Sequence, residues 1–195
     1  LRRRANPHRF FIPNGKAEQF IKMVGSGDVF ISLFSAANGV GKTATTCCML
    51  AHILYGPSGN KFFDYPIYNN FPYPKRGRIV SDPTTISGTI VQELKKWLPE
   101  GRYKTNKGGK NFESKWSTDT GFEFDLMTYD QSVKEFESST LGFAAFDEPP
   151  PFAIFKATVA RMRLGGLIWI GATPLTGSAW MYDEIVVHPD TIKIK

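Results

Sequence analysis

Cysteine is almost missing from this 195-residue chain: there are two, Cys47 and Cys48, adjacent to one another. Sequence neighbours are poorly placed for an ordinary disulfide. With no further thiol there is neither a disulfide framework nor a cysteine zinc site, which points to a reducing cytoplasm. Long apolar runs are lacking too. None approaches the ~18 residues of a membrane span, so no membrane partner is expected. The start, Leu1-Arg2-Arg3-Arg4, has neither an initiator Met nor the apolar stretch of a secretion signal and reads as an internal cut or a processed end. His8, His52 and His188 are far apart and show no metal-ligand spacing. The 18 Gly and 13 Pro make up about a sixth of the chain, short of the ~25–30% that marks low-complexity disorder. What is present is a 42% hydrophobic content, enough for one globular domain with a sizeable core.

Charge is unbalanced: 24 Lys+Arg against 18 Asp+Glu give +6. Arg2, Arg3, Arg4 and Arg9 crowd the N-terminus, while Arg102, Lys104, Lys107, Lys110 and Lys115 fall between Gly101 and Trp116. Such stretches suit a polyanionic partner. They read equally as solvated loops.

The pattern of apolar residues predicts strands alternating with helices. Val29-Phe30-Ile31-Ser32-Leu33-Phe34 is a strand-length apolar run, followed after a Gly-rich loop by a helix from Ala44 to Tyr55 that Gly56-Pro57 stops. Arg78-Ile79-Val80-Ser81 is a second strand, and Ile86, Ile90, Val91, Leu94 and Leu98 lie on one face of a helix over 85–98. Segments 112–116 and 122–129 form a hairpin-like pair around Ser117-Thr118-Asp119-Thr120-Gly121. Two further strands are Leu141-Gly142-Phe143-Ala144-Ala145-Phe146 and Leu167-Ile168-Trp169-Ile170-Gly171. The expected fold is α/β, a mostly parallel central sheet flanked by helices with an added hairpin. In such sheets ligands bind beyond the carboxyl ends of the strands. The aromatic stretch from Phe62 to Tyr73 is expected to be an irregular covering segment.

Three strands end in residues that carry chemistry. Ala36-Ala37-Asn38-Gly39-Val40-Gly41-Lys42-Thr43 matches the phosphate-loop pattern G-x-x-x-x-G-K-[ST] with Ala36 for the first Gly. Such a loop curls its backbone N–H groups around phosphates at a helix N-terminus, where the dipole favours anions. Residues 37–44, from Ala37 to Ala44, would therefore line the nucleotide, with Lys42 on the β/γ-phosphates and the Thr43 hydroxyl on Mg²⁺. Phe143-Ala144-Ala145-Phe146-Asp147-Glu148 is a hydrophobic strand ending in two acids. Downstream of a phosphate loop, Asp147 suits Mg²⁺ and Glu148 suits the attacking water. Thr173, at the tip of the next strand, offers a hydroxyl that can sense the γ-phosphate. Arg161 is placed to neutralise phosphoryl charge, within its own subunit or across a contact with another copy, or to sit on a helix surface, and Gln19 either reads an adenine edge or lies exposed on a helix.

The order of these elements resembles the ATPase domain of the large terminase subunit of tailed bacteriophages. The resemblance rests on Ala17-Glu18-Gln19-Phe20 before Ala37-Asn38-Gly39-Val40-Gly41-Lys42-Thr43, and on Met127-Thr128-Tyr129-Asp130-Gln131-Ser132 leading through Phe136 to Asp147-Glu148-Pro149-Pro150. It continues in Ala160-Arg161 before Gly165-Gly166, and in Gly171-Ala172-Thr173-Pro174-Leu175-Thr176-Gly177 with the following Trp180 and Tyr182-Asp183-Glu184-Ile185. It implies a P-loop NTPase fold and a single ATPase domain over 1–195, the N-terminal part of a longer terminase. It further implies Mg²⁺ and ATP as cofactors, Gln19 at the adenine, catalysis by Glu148, Arg161 and Thr173, and DNA packaging as the function. The partners so implied are double-stranded DNA, the small terminase subunit and further copies in a ring on a viral portal. The implied place is the cytoplasm of an infected bacterial host and, transiently, the procapsid. No Arg lies between Arg102 and Arg161, so no finger just before the acidic pair is expected. Nor is nuclease activity, because the acids of a nuclease domain would follow Lys195. A helicase core, a P-loop kinase and a non-catalytic nucleotide-gated module are the alternatives that share these motifs.

Overall fold

In the computed structural model, which describes residues 5–174 and 179–187, the strand-like segments meet in one seven-stranded sheet of order β1-β7-β6-β2-β5-β4-β3. The strands are β1 (Ile31–Ser35), β2 (Arg76–Ser81), β3 (Tyr103–Asn106), β4 (Lys115–Thr118), β5 (Glu123–Thr128), β6 (Phe143–Asp147) and β7 (Leu167–Ala172). Arg2 to Arg4, Leu175 to Gly177 and His188 lie outside the described residues.

From β1 to β5 across the sheet every pairing is parallel, and β4 and β3 add an antiparallel edge. The division follows from residue patterning. Every residue of β6 and β7 is buried, as a parallel strand covered on both faces demands. Along β4 and β5, exposed Lys115 and Glu123 alternate with buried Trp116 and Phe124, so only one face of that edge is covered at this point.

Helices α1 (Gly15–Ser26), α2 (Lys42–Tyr55), α3 (Val91–Trp97) and α4 (Phe152–Val159) complete the layers. One core, with Ile21, Leu50, Ile79, Leu94, Phe124 and Trp169, gathers α1, α2 and α3 on one face. The other, with Val80, Phe136, Phe146, Phe155 and Ile170, lies under α4. The expected helix over 85–98 is present as Pro83–Thr85, a π-helical turn Ile86–Ile90 and α3, with its five apolar positions buried. Among the described residues no helix is long and apolar enough to cross a membrane.

Two segments differ from their sequence patterns. The basic stretch is not all loop: its first half forms β3, held by Tyr103 stacking on Trp116 at 5.3 Å. Lys104-Thr105-Asn106 are exposed throughout, so no alternation marks this edge strand. The aromatic segment contains two short helical turns, Lys61–Phe63 and Pro66–Asn69, that bind α1 to α2. Phe63 stacks on His52 of α2 at 3.6 Å, and the Tyr68 hydroxyl donates to the Ile21 carbonyl of α1 at 3.0 Å. This burial pushes His52 down to about 3 and His8 to about 4, so both imidazoles stay neutral at neutral pH.

Candidate active site

The carboxyl ends of β1, β6 and β7 lie side by side, paired as Ser35 with Ala172 and Asp147 with Gly171. Beyond β1 the chain turns through residues 36–41 and enters α2 at Lys42. Gly39 and Gly41 have φ of 80° and 86°, in the left-handed region that Gly occupies without strain. A Cβ on either would meet no protein atom within 4 Å, so the space above the loop is open. No side chain caps α2, whose first N–H groups therefore face that space. Open space, free amides and a helix dipole suit an anion. Asn14 caps α1 by accepting from the Ala17 amide at 3.0 Å, and its side-chain amide donates to the Val40 carbonyl at 2.9 Å. An Asn at the N-cap position, Asn14, signals a helix start, but nothing in the sequence signals its tie to the loop.

Lys42 is 8% exposed, and its ammonium donates to Ala36 O (2.8 Å), Ala37 O (3.3 Å) and Thr173 Oγ1 (3.1 Å). Glu148 Oε1 lies 3.9 Å from it. Thr43 donates to Asp147 Oδ1 at 3.0 Å. Thr173 holds both oxygens of Glu148, through its amide to Oε2 at 2.9 Å and its hydroxyl to Oε1 at 2.6 Å, and that hydroxyl lies 2.9 Å from the Asn38 amide group. In a regular strand consecutive side chains point to opposite faces, so Asp147 and Glu148 would diverge. Glu148 instead adopts φ 72°, and this left-handed residue brings both carboxylates to the loop. Burial raises the Asp147 carboxyl above its ordinary value; the Thr43 hydrogen bond and Lys42 oppose this, while the Glu148 charge adds to it.

No protein-family model and no curated protein matches the chain. Solved structures do. The large terminase of bacteriophage HK97 superposes with a TM-score of 0.58 at 13% identity, covering 83% of this chain and 33% of its own. The large terminase of a thermophilic bacteriophage, in complex with ADP, gives 0.54 at 12% identity, covering 86% of this chain and 38% of its own. The chain has the P-loop NTPase fold of these large terminases. It spans 33% and 38% of their lengths.

Within this terminase-like fold the expected residues fall into two groups. Lys42, Thr43, Asp147, Glu148 and Thr173 converge from three strand ends, and Asn38 joins them. Gln19 is exposed on α1, one turn beyond the end that Asn14 ties to Val40. Arg161 lies apart from this group. Its carbonyl accepts from Leu141 N just before β6, at the opposite end of the sheet from Asp147. Five strand residues at ~3.3 Å each intervene, beyond the reach of one side chain, so a role for Arg161 on its own chain's phosphates is excluded. Arg161 donates instead to Glu137 O at 2.8 Å, beside buried Arg78, which donates to Phe136 O and Ser138 O at 2.9 and 3.1 Å. Two arginines thus grip three successive carbonyls. Arg161→Ala is expected to cost about 1 kcal/mol, roughly 2–4 °C in Tm for a domain of this size, with ATP turnover of the monomeric chain unchanged. A fall in kcat at an unaltered Tm contradicts this placement.

Proposed function

We propose that this chain is the ATP-hydrolysing domain of a large terminase, which uses Mg²⁺-ATP to drive double-stranded viral DNA into a procapsid. The observation that carries the reading is the convergence of Lys42, Thr43, Asp147, Glu148 and Thr173 on one open loop. The likeness to two large terminases, one described with ADP, supports it.

In this reading the loop amides and Lys42 take the β- and γ-phosphates, with Lys42 leaving the carbonyls of Ala36 and Ala37. Thr43 and Asp147 would hold Mg²⁺. The pair fits a cation, since their oxygens are 3.0 Å apart and Asp147 is buried beside a second carboxylate. When bound, Mg²⁺ supplies positive charge against the phosphate oxygens. Glu148 orients the attacking water and takes its proton. Thr173 touches Lys42 and Glu148 together, so it can pass the loss of the γ-phosphate to the segment after β7. Gln19 is assigned to the adenine edge. A trans role remains for Arg161, across a ring of copies seated on a viral portal with the small terminase subunit, in the cytoplasm of the infected host and at the procapsid. A phosphate-release assay with Mg²⁺-ATP tests the proposal: release that needs no hydroxyl-bearing acceptor is expected. ADP formed only with an acceptor, together with the phosphorylated acceptor in place of free phosphate, identifies a kinase, and no ADP from the assembled motor identifies a non-catalytic module.

The DNA contact is assigned to the hairpin of β3 and β4. Because β4 runs antiparallel to β5 and Leu126 N donates to Ser114 O, the hairpin tip rises at the same end of the sheet as the loop. Nearby cations are already paired, Arg102 with Asp119 at 2.8 Å and Lys95 with Glu113 at 2.6 Å. Among the described residues Lys104, Lys107, Lys110 and Lys115 make no such ion pair. Duplex binding is expected to be modest and sequence-independent. Replacing Lys104, Lys107 and Lys110 by Ala should weaken it and flatten the log–log salt slope by about 0.9 per lost phosphate contact. Unchanged affinity between ~50 and 200 mM salt, or normal binding by the triple variant, leaves the hairpin a solvated edge.

A further inference from the structure

The geometry points to Tyr129 as the residue that positions Glu148 for hydrolysis, through a hydrogen bond that holds the Glu148 backbone in its left-handed conformation. This rests on the reading of Glu148 given above. Tyr129 belongs to the Thr128-Tyr129-Asp130-Gln131 run that begins at the last residue of β5, a segment whose sequence stands out but to which the nucleotide chemistry gives no task.

The Tyr129 hydroxyl lies 2.6 Å from the Glu148 carbonyl oxygen, and 3.3 Å from those of Asp147 and Val80. It has one proton to give, and the short contact is to Glu148. A phenol keeps its proton at neutral pH, so the hydroxyl is the donor. The Glu148 amide donates to Gly171 O at 2.9 Å, its carboxylate accepts from Thr173, and Ser81 Oγ donates to the preceding carbonyl of Asp147 at 3.1 Å. On the far side of the residue the Tyr129 hydroxyl binds the carbonyl of the Glu148–Pro149 peptide, whose nitrogen carries no N–H.

That anchor opposes a real cost. A non-Gly residue in the left-handed region is disfavoured because its Cβ crowds the following carbonyl oxygen, and such strain persists only where the surroundings over-determine it. Without the anchor, the preferred backbone at 148 is extended, and the carboxylate swings toward the other face of the sheet, away from Thr173 and Lys42. Tyr129 does this from outside the nucleotide space. It lines a cleft of about 500 Å³ with Asp82, Glu148, Phe152, Trp180 and the prolines 149–151, and no residue of the phosphate loop borders that cleft. Its loss should therefore act on chemistry and spare capture.

Tyr129→Phe keeps the ring and removes only the hydroxyl. Its kcat for Mg²⁺-ATP hydrolysis is expected to fall about 10–100-fold, the scale of a small misplacement of a reacting group, while ATP affinity stays within about twofold of the parent. A crystal structure of the variant is expected to show Glu148 out of the left-handed region or its carboxylate off Thr173. Parent-like turnover in Tyr129→Phe, beside an inactive Glu148→Gln, overturns the role of Tyr129 and leaves Glu148 in place. Parent-like turnover in Glu148→Gln overturns the reading of Glu148 itself. A parallel loss of ATP affinity and Tm makes Tyr129 a packing residue only, and an unchanged Glu148 in the variant crystal likewise ends the inference.

Discussion

Glu148→Gln is expected to bind Mg²⁺-ATP near normally while hydrolysing it at least ~10²-fold more slowly, the low end for general acid–base catalysis. The substitution preserves shape. A glutamine carbonyl still accepts from the Thr173 amide, and its NH₂ can donate to the Thr173 hydroxyl, replacing the two contacts that Glu148 makes at 2.9 and 2.6 Å. What disappears is a base within reach of the nucleotide space. Binding should be spared because the phosphate contacts are assigned to Lys42 and the loop amides, and because Asp147 and Thr43 keep their own pairing at 3.0 Å. Titration with a fluorescent ATP analogue and single-turnover phosphate release measure the two halves separately. Release at the parent rate, where the parent is clearly active, removes Glu148 from the chemistry.

Much of this site is legible along the chain because its parts are local. The strand, Gly-rich loop and helix from Ile31 to Tyr55 follow one another directly, and the acids end a run whose apolar character marks burial. What the sequence does not carry is adjacency. That β7 lies between β1 and β6 decides that Thr173 meets both Lys42 and Glu148, and parallel pairing across long connections leaves no local trace. The same gap misplaces Arg161: close in sequence to β7 and just ahead of Gly165-Gly166, it sits at the start of that strand, whereas the chemistry is at the end. Glu148 is a subtler case. Its type and position read as catalytic, but the left-handed backbone that turns it toward the loop is visible only with Gly171 and Tyr129 around it.

Lys42→Ala should weaken capture itself rather than the chemical step. The ammonium occupies a nearly closed position between the loop carbonyls and Thr173, with a Glu148 oxygen at 3.9 Å and buried Asp147 close behind. Deleting it leaves two carboxylates facing the place where phosphates must bind, with only backbone N–H groups to offset them. Hydrogen bonds to charged groups contribute ~1.5–3 kcal/mol each, so ATP affinity is expected to fall about 10–100-fold or more. The fold should survive, because the sheet and both cores are built without this side chain, and a circular dichroism melt checks that. The expected pattern is then opposite in the two variants: Glu148→Gln retains nucleotide without turnover, and Lys42→Ala retains its fold without nucleotide. A folded Lys42→Ala that binds ATP like the parent would mean that the loop is a helix-starting turn and not a phosphate site.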